Sequence, residues 1–371
     1  MPFLLSPLFL SSSSSSSSPP SPASQRPDGD IIDCVHRHKQ PAIDHPLLKN
    51  HRIQRVPPRR PRPKSDGGPG NYTGGGIGPR GAWQTWHHVG HCPKGTVPIR
   101  RSSVDDVLRA RSLYHFGKKQ RRLPLARDVD APDVVSGNGH EHAIAYTAAA
   151  GEVYGAKATI NVWDPTIEGP NEFSLSQIWI LSGSFDGSDL NSIEAGWQVS
   201  PELYGDSRPR LFTYWTSDAY QVTGCYNLLC SGFVQTNNRI AIGAAISPVS
   251  SYSGDQFDIT ILIWKDPKLG NWWLGFGITR WWVGRRGGEH AAQRCAHGDE
   301  DGSGHFAEDG FGRASYFRNL EVVDGDNSLT AADSIATLAE DTHCYNIRSS
   351  TSSEWGVHFY FGGPGNNPKC P

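Results

Sequence analysis

Methionine is nearly absent from this chain, with one among 371 residues, and charged residues make up only 19%. Glycine (41) and tryptophan (12) are abundant instead. Many glycines and aromatics with few strong helix formers favour strands and turns over helices. No apolar run reaches membrane-spanning length. The seven cysteines include no Cys-x-x-Cys pair, which argues against a zinc ribbon. The Gly-x-Ser-x-Gly elbow, the His-Glu-x-x-His zinc motif and the phosphate-binding loop are also missing. The usual serine-hydrolase, zinc-protease and nucleotide-hydrolase signatures are therefore set aside.

Charge of one sign is scarce in each part of the chain. Residues 1–132 hold 21 Lys/Arg and 9 Asp/Glu, a net +12, whereas residues 133–371 hold 14 and 28, a net −14. Two segments of opposite sign attract, and acid weakens that attraction by neutralising carboxylates. The basic part carries no nucleic-acid-binding motif.

The N-terminal "MPFLLSPLFL" and the serine run after it are expected to be a secretory signal ending near Ala23, although the usual leading positive charge is missing. Residues 55–81 are rich in Pro, Gly and Arg and read as a flexible linker with a glycosylation sequon at Asn71. Ser102 or Ser103 is placed to cap a short helix over Val104–Leu113, with Asp105 and Asp106 in its first turn. The basic cluster Lys118, Lys119, Arg121 and Arg122 reads as solvated surface or as an exposed processing site. Among the cysteines, Cys225 and Cys230 suit a small disulfide-closed loop. Cys34 with Cys92 and Cys344 with Cys370 are candidate pairs, leaving Cys295 odd. Disulfides imply an oxidising compartment.

From about residue 140 the texture changes. "EVYGAKATINVW", "SQIWILSG", "NSIEAGWQVS", "RLFTYWTSD", "FDITILIWKD", "NWWLGFG", "SYFRNLEVVD" and "GVHFYFGG" are short aromatic and β-branched runs between Gly, Asn, Asp and Pro. This pattern predicts an all-β fold of two packed antiparallel sheets. In "NSIEAGWQV", Ile193, Ala195, Trp197 and Val199 fall on one face, and Glu194, Gly196 and Gln198 on the other. Period-two geometry alone lets that polar face look at water. His140 and His142 share a face but lack a nameable third ligand, and "DGDNS" reads as a turn rather than a calcium loop. Two carboxylates beside glycines stand out: Glu194 next to Gly196, and Glu289 after Gly287 and Gly288. Two carboxyl groups meeting across a cleft share a proton at moderately acidic pH and can work as an acid/base pair on a water.

Longer motifs carry a resemblance. "PDGDIIDCVHRHKQPAIDHPLLKNHRIQ" and "CPKGTVPIRR" resemble the activation peptide of the neprosin family of plant glutamic peptidases. "NSIEAGWQVSPELYGDSRPRLFTYWTSDAYQVTGCYNLLCSGFVQ", "GSGHFAEDGFGRASYFRNLEVVDGDNSL" and "WGVHFYFGGPGNNPKCP" resemble its catalytic domain. The resemblance implies a signal or low-complexity segment over 1–24, a partly ordered activation peptide over 25–132 and an antiparallel β-sandwich catalytic domain over 133–371. It further implies a secreted zymogen that cleaves proteins after proline at acid pH. Glu194 and Glu289 would be the catalytic pair, and Cys225 and Cys230 the family's close cysteine pair. No cofactor, metal, nucleic acid or membrane span is expected; the partners are proline-containing substrates and the chain's own pro-segment. Gln198 is expected to orient water or substrate, and Gly196 to leave clearance for the substrate backbone. Trp215 is expected to help wall an aromatic groove suited to a proline ring, with Trp197, Trp272 and Trp273 in core or wall. The chain departs from the family pattern in "GITRWWVGRRGGEH", which runs almost directly from the "WWLGFG" strand to Glu289. An inactive secreted β-sandwich of the same family, with a binding or cell-wall role, is the alternative expectation.

Overall fold

A computed structural model describes residues 28–44, 48, 52–54, 57–64, 79–110, 112–119, 140–147, 152–169, 171–183, 189–277, 279–280, 294–296, 300–339, 341–365 and 367–368. All eight aromatic and β-branched runs contain strands. They form two main sheets. In the smaller, the order is Arg210–Thr216, Asn191–Val199, Ser174–Ser182, Arg294–Ala296 and His140–Glu141. The larger is centred on Phe257–Lys265, Gly155–Asn161 and Ser315–Val323, with Trp272–Phe276 on one side and Gly356–Gly362 also paired to Ser315–Val323. "DGDNS" is a turn as expected: Asp324 accepts from the backbone N–H groups of Asp326 and Ser328, and it joins the paired strands Ser315–Val323 and Ser328–Ala331.

The sheets share one core because strand alternation sends apolar residues inward from both. Ile178, Ile180, Ile193, Ala195, Trp197, Val199 and Leu211 of the small sheet meet Ile259, Ile261, Ile263, Trp272, Leu274 and Phe317 of the large one. Trp197 is fully buried there and donates its indole N–H to the Asn161 carbonyl at 2.7 Å. The outward face of the large sheet is apolar as well, which water alone would not tolerate. On the large sheet, Leu262, Trp264, Trp273 and Val323 are covered by Ala42 and Ile53 of the N-terminal segment. Trp86 and Ile32 pack similarly against Ala241 and Ala244. At ~25 cal/mol per Å² of buried apolar area, such aromatic contacts contribute several kcal/mol to docking of the pro-segment.

Two local expectations change. The helix runs only over Val104–Arg109; Ser103 is its cap, with a reciprocal capping box to Asp106. It ends where Ala110 turns extended, and the Arg109 side chain of its last turn bonds Asp106 and the Glu202 carbonyl. The 55–81 stretch is not linker throughout. Arg62–Pro63 pairs with Ser328–Ala331 at the sheet margin, and Arg80–Gly81 with Phe257 and Asp258, the start of Phe257–Lys265, whose pairing to Trp272–Phe276 begins only at Ile261. Asn71 lies outside the described residues.

Candidate active site

Strand Asn191–Val199 lies between two partners in register, so its polar face is read in rows. Glu194 lies between Trp179 and Tyr214, Gly196 between Gln177 and Phe212, and Gln198 between Leu175 and Arg210. The face does not look at water. Glu194 is 0% exposed and Gln198 1%.

An unpaired buried carboxylate costs several kcal/mol, so its partners define the site. Oε1 of Glu194 accepts from Ser192 Oγ at 2.9 Å and from Tyr220 Oη at 2.8 Å. Oε2 forms an ion pair with Lys119 Nζ, a residue of the pro-segment. The ammonium sits in an aromatic box, 4.8 Å from the ring centre of Tyr214, 5.4 Å from Tyr220, 5.9 Å from Trp179 and 6.0 Å from Tyr226. Cation–π attraction and the carboxylate together hold it. The Lys119 N–H donates to Tyr214 Oη at 3.2 Å, and the Tyr226 N–H to the Gly117 carbonyl at 2.7 Å, so residues 117–119 lie along the cleft wall. Burial, helped by the Glu194 charge, pushes the Tyr214 phenol well above its ordinary range and keeps it a neutral hydroxyl.

The other expected residues divide. Gln198 is on the same face but two rows away, donating to Tyr204 Oη at 2.9 Å; Asn227 donates to the same hydroxyl at 2.9 Å. Gly196 leaves no open clearance. A Cβ there would lie 1.8 Å from the Ser176 carbonyl oxygen and 2.6 Å from Gln177 Cα, so the missing side chain serves close strand approach. Trp215 is opposite Ile193 in the register and thus on the face away from Glu194; it is half-buried against Gly232. Trp272 and Trp273 are core residues. Cys225–Cys230 and Cys34–Cys92 are disulfides, and Cys344 is disulfide-bonded too; Cys370 lies outside the described residues. Glu289 also lies outside them.

A second polar nest clamps the pro-segment. Asp30 bonds Arg100 at 2.8 Å and the fully buried Arg210 at 2.7 Å, and Arg210 also pairs with Asp206 at 2.5 Å. Arg100 and Arg210 lie 5.6 and 5.0 Å from the Tyr204 ring centre, beside Gln198. Burial would raise the Asp206 carboxyl, but Arg210 outweighs it and leaves Asp206 below the ordinary range.

Sequence reasoning missed Ser192, Tyr214 and Tyr220, and read Lys119 as part of solvated surface or of an exposed processing site. Ser192 was findable, standing two residues before Glu194 on the same strand face. Tyr220 and Lys119 are 26 and 75 residues from Glu194 in sequence and carry no local signal.

Residues 170–364 match the model of the neprosin family, and residues 23–146 that of the neprosin activation peptide. The chain belongs to the neprosin family, with an activation peptide preceding the catalytic domain. Two solved structures of scytalido-glutamic peptidase also resemble it distantly. The one with a peptide-based transition-state analogue shares 11% identity over 61% of this chain and 98% of that one, with a TM-score of 0.33. The one with a transition-state analogue inhibitor shares 13% over 60% and 97%, with a TM-score of 0.30.

Proposed function

We propose that the chain is the latent form of a secreted glutamic endopeptidase that cleaves after proline at acid pH, with Glu194 and Glu289 as its catalytic pair. The observation that carries this reading is the seating of an activation-peptide lysine on a buried strand carboxylate. Such a contact suits a blocked active site, because the ammonium occupies the oxygen that a substrate would need. Its loss is linked to protons: when Glu194 takes up a proton, its attraction for Lys119 falls away. Acid thus exchanges an ammonium for a proton on Oε2.

In the unblocked enzyme the protonated Glu194 donates from Oε2 to the scissile carbonyl oxygen, which becomes the oxyanion. Glu289, ionised, takes a proton from the attacking water and passes it to the departing nitrogen. The aromatic side chains around the vacated ammonium site favour an apolar, N–H-free ring such as proline.

The test is acid incubation of the purified chain with a proline-rich peptide, beside Glu194→Gln and Glu289→Gln. Cleavage after proline that both substitutions abolish is the expected result. Activity retained in Glu289→Gln would remove that residue from the pair. No cleavage by the unsubstituted chain after its pro-segment is removed would favour the inactive binding protein.

A further inference from the structure

Tyr220 is held in an unusual backbone conformation. It and Ala219 are successive non-glycine residues with φ of +61° and +54°. Left-handed backbone is uncommon for bulky residues, and such strain persists only where surroundings impose it. The surroundings are explicit. Asp218 accepts from the N–H groups of Gln221, Val222 and Thr223 and from the hydroxyls of Thr216 and Thr223. The Ala219 N–H donates to the Leu190 carbonyl at 2.9 Å, and the Tyr220 N–H to Thr216 Oγ1 at 3.0 Å. Burial would raise the Asp218 carboxyl, but hydrogen bonds from the Thr223 hydroxyl and backbone, the Val222 backbone and the Thr216 hydroxyl outweigh it and leave Asp218 below its usual range, ionised as the centre of the turn. The whole clip presents one functional atom inward, Tyr220 Oη, which bonds Glu194 Oε1 at 2.8 Å and lies 3.3 Å from Ser192 Oγ.

We propose that Tyr220 is a positioning residue: with Ser192 it reserves Oε1 of Glu194 as an acceptor, so that the carboxyl proton sits on Oε2, the oxygen that Lys119 covers in the latent chain. This rests on the reading of Glu194 as the proton-bearing member of the pair. A carboxylic acid with no such partners can carry its proton on either oxygen, and the wrong choice points the donor away from substrate. Two donors on Oε1 remove that ambiguity and orient the group before substrate arrives. Among the described residues, the groups facing Glu194 include Lys119 from the pro-segment, Tyr214 and Trp179 from the flanking strands, Ser192 from its own strand, and Tyr220 with Asp218 behind it. Once Lys119 has left, Tyr220 and Ser192 are the hydroxyls bonded to Glu194 that set the ionisation and orientation of the carboxyl.

The test uses acid-processed enzyme carrying Tyr220→Phe, with kcat, KM and the pH–rate profile read on a proline-containing peptide. The expected result is a kcat lower by about tenfold or more, with KM within about twofold. The alkaline limb should move to higher pH by about half a unit, because a lost donor disfavours the carboxylate. Asp218→Ala, which releases the clip, should reproduce the same signature; Ala219→Gly, which suits positive φ, should retain full activity. Unchanged kcat and limb in Tyr220→Phe would overturn the proposal. So would a fall in kcat with an unmoved limb and a lowered melting temperature, the mark of a merely structural tyrosine. Lack of activity in the unsubstituted enzyme would instead sink the catalytic reading of Glu194 on which the proposal stands.

Discussion

Replacing Lys119 by methionine should unseat the segment from Gly117 to Lys119 at neutral pH while leaving the fold intact. Methionine keeps much of the apolar stem but removes the ammonium, so Glu194 loses its cation in a fully buried position. Removing one partner of a buried ion pair costs ~3–5 kcal/mol. A second route gives a similar figure. If Glu194 protonated instead, lifting a carboxyl from its ordinary range to neutral pH would cost about 3–4 kcal/mol at 1.36 kcal/mol per pH unit. Both values translate to an opening equilibrium raised by roughly 10²–10³. The Tyr226 amide reports on it, since its N–H is bonded to the Gly117 carbonyl only while the segment is seated. Hydrogen exchange of Tyr226 at pH 7 should therefore lose about two to three orders of magnitude of protection in Lys119→Met, within the limit set by global stability. At pH 4 the difference between variant and parent should shrink, because a protonated Glu194 no longer discriminates. Protection at pH 7 unchanged within about threefold would refute the role of the ion pair in latency.

Raising salt to about 0.5 M should leave the latency of the zymogen intact, because the Lys119–Glu194 and Asp30–Arg210 pairs are buried and poorly screened, and the exposed Lys64–Asp324 and Arg80–Asp255 pairs contribute little; loss of latency in a salt titration would restore the long-range charge account. Asp30→Ala should lower zymogen stability by ~3–5 kcal/mol in chemical denaturation, since Arg210 keeps only Asp206 as an ionic partner. The Asp206 carboxyl, lowered in the folded chain, adds stability that is fully present above the ordinary aspartate range and lost as pH falls through its depressed value, that is below about pH 4. A melting-temperature profile should show that fall, and Asp206→Asn should flatten it. Gly196→Ala should destabilise by ~3 kcal/mol or more, as its methyl meets a backbone oxygen of the next strand that cannot swing away; a melting temperature equal to the parent's would contradict the close approach.

Much of this protein was legible from residue order. Strand positions, the inward set Ile193, Ala195, Trp197 and Val199, the Ser103 cap and the turn at Asp324 all follow from local alternation and turn chemistry, which act within a few residues. Motifs spread along the chain carried family membership and the choice of Glu194. Other properties depend on contacts between distant residues, and these only the tertiary structure decided. Period-two alternation makes Glu194, Gly196 and Gln198 a polar face, but not whether water, substrate or another segment covers it; Lys119 and Tyr220 do so at Glu194. Alternation also leaves Gly196 open to a substrate role, which the Ser176 backbone packed against it removes, and places no tyrosine near Glu194. Even the net charges of +12 and −14 pointed to the right pair of segments for an incomplete reason. Lys119 with Glu194 is a desolvated pair of that sense, but Asp30 with Arg210 holds the same two segments with the signs reversed, and the strength of both comes from burial and direct contact. Summed charge along a chain contains neither.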